Sequence, residues 1–226
     1  TLCLTQGTEA LMTADVGDLG SVPAVLAFEA AAEGLLQRSR ERVTLVVHDL
    51  HPNFHSTRYA TALAERLGIE TAAVQHHHAR VAAVMAEHGC EEPVLGLSLD
   101  GFGLGPDNDA WGGELLGVDA DGCHRLGHLA LLPQPGADRA AREPWRMGAA
   151  ALHALGRNEE ITTRYAALPG AGVIAQMLAR GVNCPLTSSC GRLFDAACGL
   201  LGIKPIAAFE GEAPMALERL VRRPLA

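Results

Sequence analysis

His76 and Arg80 stand four residues apart in the stretch VQHHHARVAAVMAEHG, residues 74–89. On a helix that spacing puts two side chains on one face. A pair of histidines so placed grips a metal ion, but an arginine is a permanent cation with no lone pair to donate. His76 then needs a ligand from elsewhere. Asp100, closing a predicted strand over residues 94–99, can meet it across a sheet. One imidazole and one carboxylate hold a divalent ion only weakly. His77 and His78 point to other sides of such a helix.

Two more segments carry groups suited to chemistry. DGFGLGPDNDAWGGE, residues 100–114, combines five glycines with four carboxylates. Glycines let a backbone approach a phosphate or a metal closely. The spacing is not that of a calcium loop, since Trp111 falls on a ligand position, and it is not G-x-G-x-x-G. LGLSLDG lacks the closing glycine of a nucleophile elbow. The segment reads as a turn-rich loop. TSSCGRLFDAACGLLG, residues 187–202, opens a helix with hydroxyls and a glycine, and amides at a helix start suit an anion. Cys190 lies where a thiol can become reactive. No paired base is apparent, so the favoured reading is a capped core helix burying Leu193, Phe194, Ala197, Leu200 and Leu201.

These groups need a scaffold. Residues 1–4 and 10–13 read as a hairpin around Gln6-Gly7. Ser21-Val22-Pro23 opens a helix with Val25, Phe28, Ala32, Leu35 and Leu36 on one face. Strands follow at 43–47, 70–74 and 94–99, alternating with helices at 57–67 and from the histidines to about His88. That order predicts a largely parallel sheet, with the polar loops HDLHP, QHHHAR and DGFGLG converging at the carboxyl ends of its strands. A second hairpin is expected at 114–118 and 123–127, then helices at 143–155, 159–167, 172–180 and 192–201. Gln134-Pro135-Gly136 marks the expected lobe boundary.

The composition narrows the class. Of 226 residues, 48% are hydrophobic and 19% charged, which fits a globular chain rather than a disordered one. A net charge of -8 argues against a surface built on nucleic-acid phosphate contacts. No apolar run approaches the roughly 20 residues that span a bilayer. The start has no signal-peptide pattern and no Met, and it reads as a strand entered midway, so a fragment of a longer protein is expected. Six cysteines without a CxxC pair point to a reduced, cytoplasmic setting.

The segments HDLHPNFHSTRYA, VQHHHARVAAVMAEHG, LDGFGLGPDNDAWGGE, REPWRM, NCPLTSSCGRLFDA and FEGEAPMALE occur in this order. Together they resemble the HypF family, the carbamoyltransferases of nickel–iron hydrogenase maturation. The resemblance runs from the opening strand to Glu218. It covers the family's carboxyl-terminal part, which is similar to the TsaD tRNA-threonylcarbamoyl transferases. It implies an α/β fold of the actin-like ATPase (ASKHA, ribonuclease-H-like) class, one full lobe plus part of the second. Residues 1–133 would form the first lobe with the metal-site loops. Residues 134–226 would form the mainly helical part of the second, on the carbamoyl-adenylate side.

The same resemblance implies residue roles. A divalent metal, zinc or iron, would be held by His76 and Asp100, with Arg80 standing where the family has its second histidine. The family's last aspartate ligand belongs to a closing segment that this sequence does not contain. An adenylate would be held by Gly191 and Asp195 of a GxxFD-type helix, with Gly211 of FEGE in the following loop. No catalytic residue is assigned. The implied reaction moves a carbamoyl group from ATP-derived carbamoyl-adenylate to the carboxyl-terminal cysteine of HypE, where it becomes the hydrogenase cyanide ligand. A YrdC-like adenylating domain of the full-length protein would supply the adenylate. The alternative is a non-catalytic, truncated relative that binds nucleotide or acts as a scaffold, and a metal-dependent hydrolase is a third reading. No nucleic-acid or membrane partner is expected.

Overall fold

The computed structural model describes residues 1–209 and 211–221. The chain forms two compact units, Thr1–Val74 and Gln75–Ala226. In the first, β1 (Cys3–Gln6) and β2 (Glu9–Met12) make the expected hairpin, Cys3 opposite Met12. α1 (Val22–Arg38) begins at Ser21, whose hydroxyl accepts the Ala24 N–H, and Pro23 sits in the first turn, where its missing N–H costs nothing. β3 (Leu45–Asp49) and β4 (Glu70–Val74) run parallel. α2 (His55–Leu67) connects them and ends at Gly68, whose φ of 64° suits a residue without a Cβ. Phe28 of α1 meets Tyr59 of α2 edge to face at 5.5 Å.

In the second unit, α3 (His76–Glu87) precedes β5 (Val94–Leu104), β6 (Ala110–Asp119) and β7 (Gly122–His128). β5 and β7 flank β6, both antiparallel to it. Two short strands, β8 (Leu132–Pro133) and β9 (Leu186–Thr187), complete the sheet, β9 pairing with the start of β6. Helices α4 (Asp138–Arg142), α5 (Pro144–Ala154), α6 (Glu159–Arg164), α7 (Ala171–Arg180), α8 (Cys190–Leu201) and α9 (Glu212–Glu218) follow. Trp145, Met147, Leu152, Ile161, Ile174 and Leu178 form the helical core. Trp111, Leu116 and Val118 form a smaller core, against which Val81 and Met85 of α3 pack. No helix among the described residues is long and apolar enough to cross a membrane.

Three expectations need correction. The strand of residues 94–99 does not extend a parallel sheet: β5 is antiparallel to β6, and among the described residues only β3 and β4 form a parallel pair of any length. An apolar run reads alike with either kind of neighbour, so the pattern could not decide. DGFGLG is not a loop but the continuation of β5 to Leu104. On α8, Leu193, Phe194 and Leu201 are exposed; the buried side carries Cys190, Arg192, Asp195, Ala196, Cys198 and Gly199. That side faces α5 at short range. A Cβ on Gly199 would lie 2.5 Å from the Pro144 carbonyl oxygen, so small residues line the contact.

Candidate functional site

Gln75 sets the histidine segment in place. Its Oε1 accepts the N–H groups of His77 and His78, capping α3, while its Nε2 donates to His77 Nδ1 at 3.0 Å and to the Leu104 carbonyl. His77 is fully buried. Gly103 leaves room for it, since a Cβ there would come within 2.6 Å of His77 Cε1. Burial, helped by the neighbouring His76 charge, lowers the His77 pKa and keeps the ring neutral. With Nδ1 accepting from Gln75, the proton sits on Nε2, which has no hydrogen-bond partner among the described residues and lies 3.9 Å from Asp100 Oδ2.

Asp100 is aimed by an irregularity in the sheet. β5 pairs with β6 through Leu99–Gly113 and again through Gly103–Trp111, so β5 carries extra residues between those points. Such bulges re-aim side chains. Asp100 Oδ1 accepts its neighbour Gly101 N–H at 2.7 Å, and Oδ2 lies 3.0 Å from His76 Nε2 and 3.3 Å from Arg80 Nη2. Arg80 Nε reaches His76 Nε2 at 3.0 Å. Burial raises the Asp100 pKa, but the bonds from His76 and Gly101 and the Arg80 charge outweigh it and hold it at about 2.

The start of α8 is fastened to the same strand. Ser189 Oγ donates to the Gly101 carbonyl at 2.7 Å and accepts the Arg192 N–H, so one hydroxyl caps the helix and ties it to β5. A Cβ on Gly191 would lie 3.0 Å from Gly101 Cα, so the glycine permits that approach. One turn on, Asp195 is buried and pairs with Arg192, Nε to Oδ2 2.9 Å. Gly211, with φ 81°, precedes α9, which packs on α8 where Cys198 Sγ donates to the Ala213 carbonyl. Cys190 is buried and its thiol pKa is pushed up by burial, as befits a core residue rather than a nucleophile.

Beside this seam lies a network that sequence reasoning missed. Glu114 is fully buried. Its carboxylate accepts the N–H groups of Gly112 and Gly113, the Ser188 hydroxyl, and Arg125 Nε at 2.7 Å. Burial raises its pKa, yet these donors together lower it below the ordinary value. Arg125 also stacks over Trp111 at 4.2 Å. The available signal was Glu114 lying an even number of residues before Leu116 and Val118, on the buried face of β6.

His76 and Arg80 share a helix face as their spacing predicted, Asp100 reaches both, and QHHHAR meets DGFGLG. The remaining loop, HDLHP, lies in the other unit. His77 does not point away: it is buried beside Asp100. A metal centre is not supported, since among the described residues no group of three or more His, Cys, Asp or Glu could hold an ion.

The HypF Kae1-like domain model matches residues 1–87. A second model, the carbamoyltransferase Kae1-like domain, second subdomain, matches residues 96–225. Carbamoyltransferase HypF2 of Cupriavidus necator is 57% identical across 97% of this chain and 27% of its own length. A carbamoyltransferase HypF homolog of the same organism is 52% identical across 96% of this chain and 56% of its own length. Carbamoyltransferase HypF of Rhizobium leguminosarum bv. viciae is 41% identical across 99% and 29%. Among solved structures, full-length HypF in its phosphate- and nucleotide-bound form superposes with a TM-score of 0.89 at 32% identity, over 98% of this chain and 29% of that one. HypF of T. kodakarensis gives 0.84 at 32% identity, over 93% and 29%. The chain spans between about a quarter and just over half of the length of these relatives. The fold is the α/β, Kae1-like form of the actin-like ATPase class.

Proposed function

Because the chain belongs to the HypF family of carbamoyltransferases, we propose that it carries the transfer step of hydrogenase maturation. A carbamoyl group would pass from carbamoyl-adenylate to the carboxyl-terminal cysteine of a HypE-like acceptor. The thiolate sulfur forms a bond to the carbamoyl carbon, the bond from that carbon to the phosphate oxygen breaks, and AMP leaves. The adenylate would come from a YrdC-like domain of the full-length protein. The free cysteines fit a cytoplasmic setting. The assignment of residues 1–133 to one lobe and 134–226 to the other belongs to the same proposal.

The observation that supports this reading is the seam in the second unit. The Asp100–Gly101 segment of β5 and the opening of α8 share the Ser189 hydroxyl and the Gly191–Gly101 approach, which supports reading these two segments as the sides of a transfer site. Gly191, Asp195 and Gly211 are proposed as the adenylate side. Asp195 would serve the ribose hydroxyls, releasing Arg192 to do so. AMP binding by calorimetry tests this: Asp195→Ala should weaken affinity tenfold or more, about 1.4 kcal/mol, while Asp195→Asn controls for folding. Unchanged affinity in both variants would remove Asp195 from the site.

Arg80 between His76 and Asp100 favours one second reading, a relative that binds nucleotide without transferring. Carbamoyl-adenylate supplied with a peptide ending in cysteine separates the two. Transfer gives carbamoylated peptide and AMP in equal amounts; a binding subunit gives neither; AMP without acceptor marks hydrolysis.

A further inference from the structure

His76 Nε2 and Asp100 Oδ2, 3.0 Å apart, have the separation of two ligands on one divalent ion, yet the two atoms that would face it are engaged with each other and with Arg80. His76 Nε2, the ring nitrogen that faces Asp100, either carries a proton and donates to Asp100 or is bare and accepts from Arg80 Nε at 3.0 Å; either way that atom is occupied where a metal would bind. His77 offers no replacement, because its Nδ1 accepts from Gln75 and its Nε2 therefore bears the proton. Asp100 spends Oδ1 on Gly101 and Oδ2 on His76 and Arg80. We propose that Arg80 is the resident cation of this site, and that it closes the site to the divalent metal the family resemblance implies.

The magnitudes agree. The Arg80 side chain is 60% exposed, so its pair with Asp100 is weak and could open. An entering ion would then find only two protein ligands, which hold zinc weakly, and would face a guanidinium of like charge. Arg80 therefore does not need a strong bond to exclude the metal; removing a third ligand and adding a positive charge suffice. The inference is independent of the transfer reaction, because its readout is metal content.

The test is zinc retained after incubation with excess zinc sulfate and desalting, together with calorimetric zinc titration. The unaltered chain should keep no stoichiometric zinc. Arg80→His, which places imidazoles four residues apart facing Asp100, should keep about one equivalent per chain. His76→Ala added to Arg80→His should lose it again. Arg80→Glu supplies a different third donor, and the same expectation applies if Arg80→His does not fold by circular dichroism. Stoichiometric zinc on the unaltered chain would overturn the proposal. So would folded Arg80→His and Arg80→Glu variants that gain none.

Discussion

Glu114 shows how much one buried carboxylate can organise. It accepts from two successive backbone amides, from Ser188 just before α8, and from Arg125. Taking away its charge leaves Arg125 without its closest partner, so Glu114→Gln should cost about 3 kcal/mol in urea unfolding at pH 7. The pH dependence follows from the lowered pKa. The folded value lies below the ordinary 4.5, so the stabilisation is fully present above that pH and is lost as pH falls through the folded value. The stability gap between the unaltered chain and the variant should therefore narrow below pH 4.5. A gap of constant size from pH 7 to pH 3 would mean that Glu114 is not the group responsible. WGGE as a string shows the period that buries Glu114 and holds two of its donors, but not the network, because Arg125 comes from β7 and Ser188 from a loop more than seventy residues later. The His76–Arg80–Asp100 group was legible, since two of its members share a helix face and the third ends a strand.

At the scale of elements, the close contact of α5 with α8 depends on missing side chains. A Cβ on Gly199 would press on the Pro144 carbonyl at 2.5 Å, and one on Gly148 would meet Tyr165 Oη at 2.2 Å and the Gly199 backbone at 2.9 Å. Gly199→Ala should cost about 2 kcal/mol through overpacking. Gly172→Ala, in α7 with open space around it, should instead be neutral or stabilising by up to about 1 kcal/mol. Equal melting temperatures for the two variants would refute this account. Helix and strand positions were mostly readable, because caps and period are local: Ser21, Gly68 and Gly202 end or begin helices as their types suggest. The exposed side of α8 was misread because large apolar residues usually face a core. Here the α5 backbone comes so close at Gly199 that a large side chain does not fit there, and the rest of the buried side holds the Arg192–Asp195 pair.

For the whole molecule, both tryptophans, Trp111 and Trp145, lie in the second compact unit and are buried. A fragment comprising residues 75–226 should therefore show blue-shifted tryptophan emission and a cooperative urea transition. Emission at the wavelength of free tryptophan would mean that this unit does not fold alone. The sequence by itself determined the family, the helix ends, the histidine–arginine spacing and the absence of a long apolar run. These depend on residue type and near neighbours along the chain. Only the tertiary structure decided that β5 pairs antiparallel with β6, that His77 is buried beside Asp100, and that Glu114 fastens the start of α8. It also decided that Arg80 engages both partners a metal would need. Those outcomes depend on residues far apart in the chain meeting at distances of about 3 Å, which no local pattern encodes.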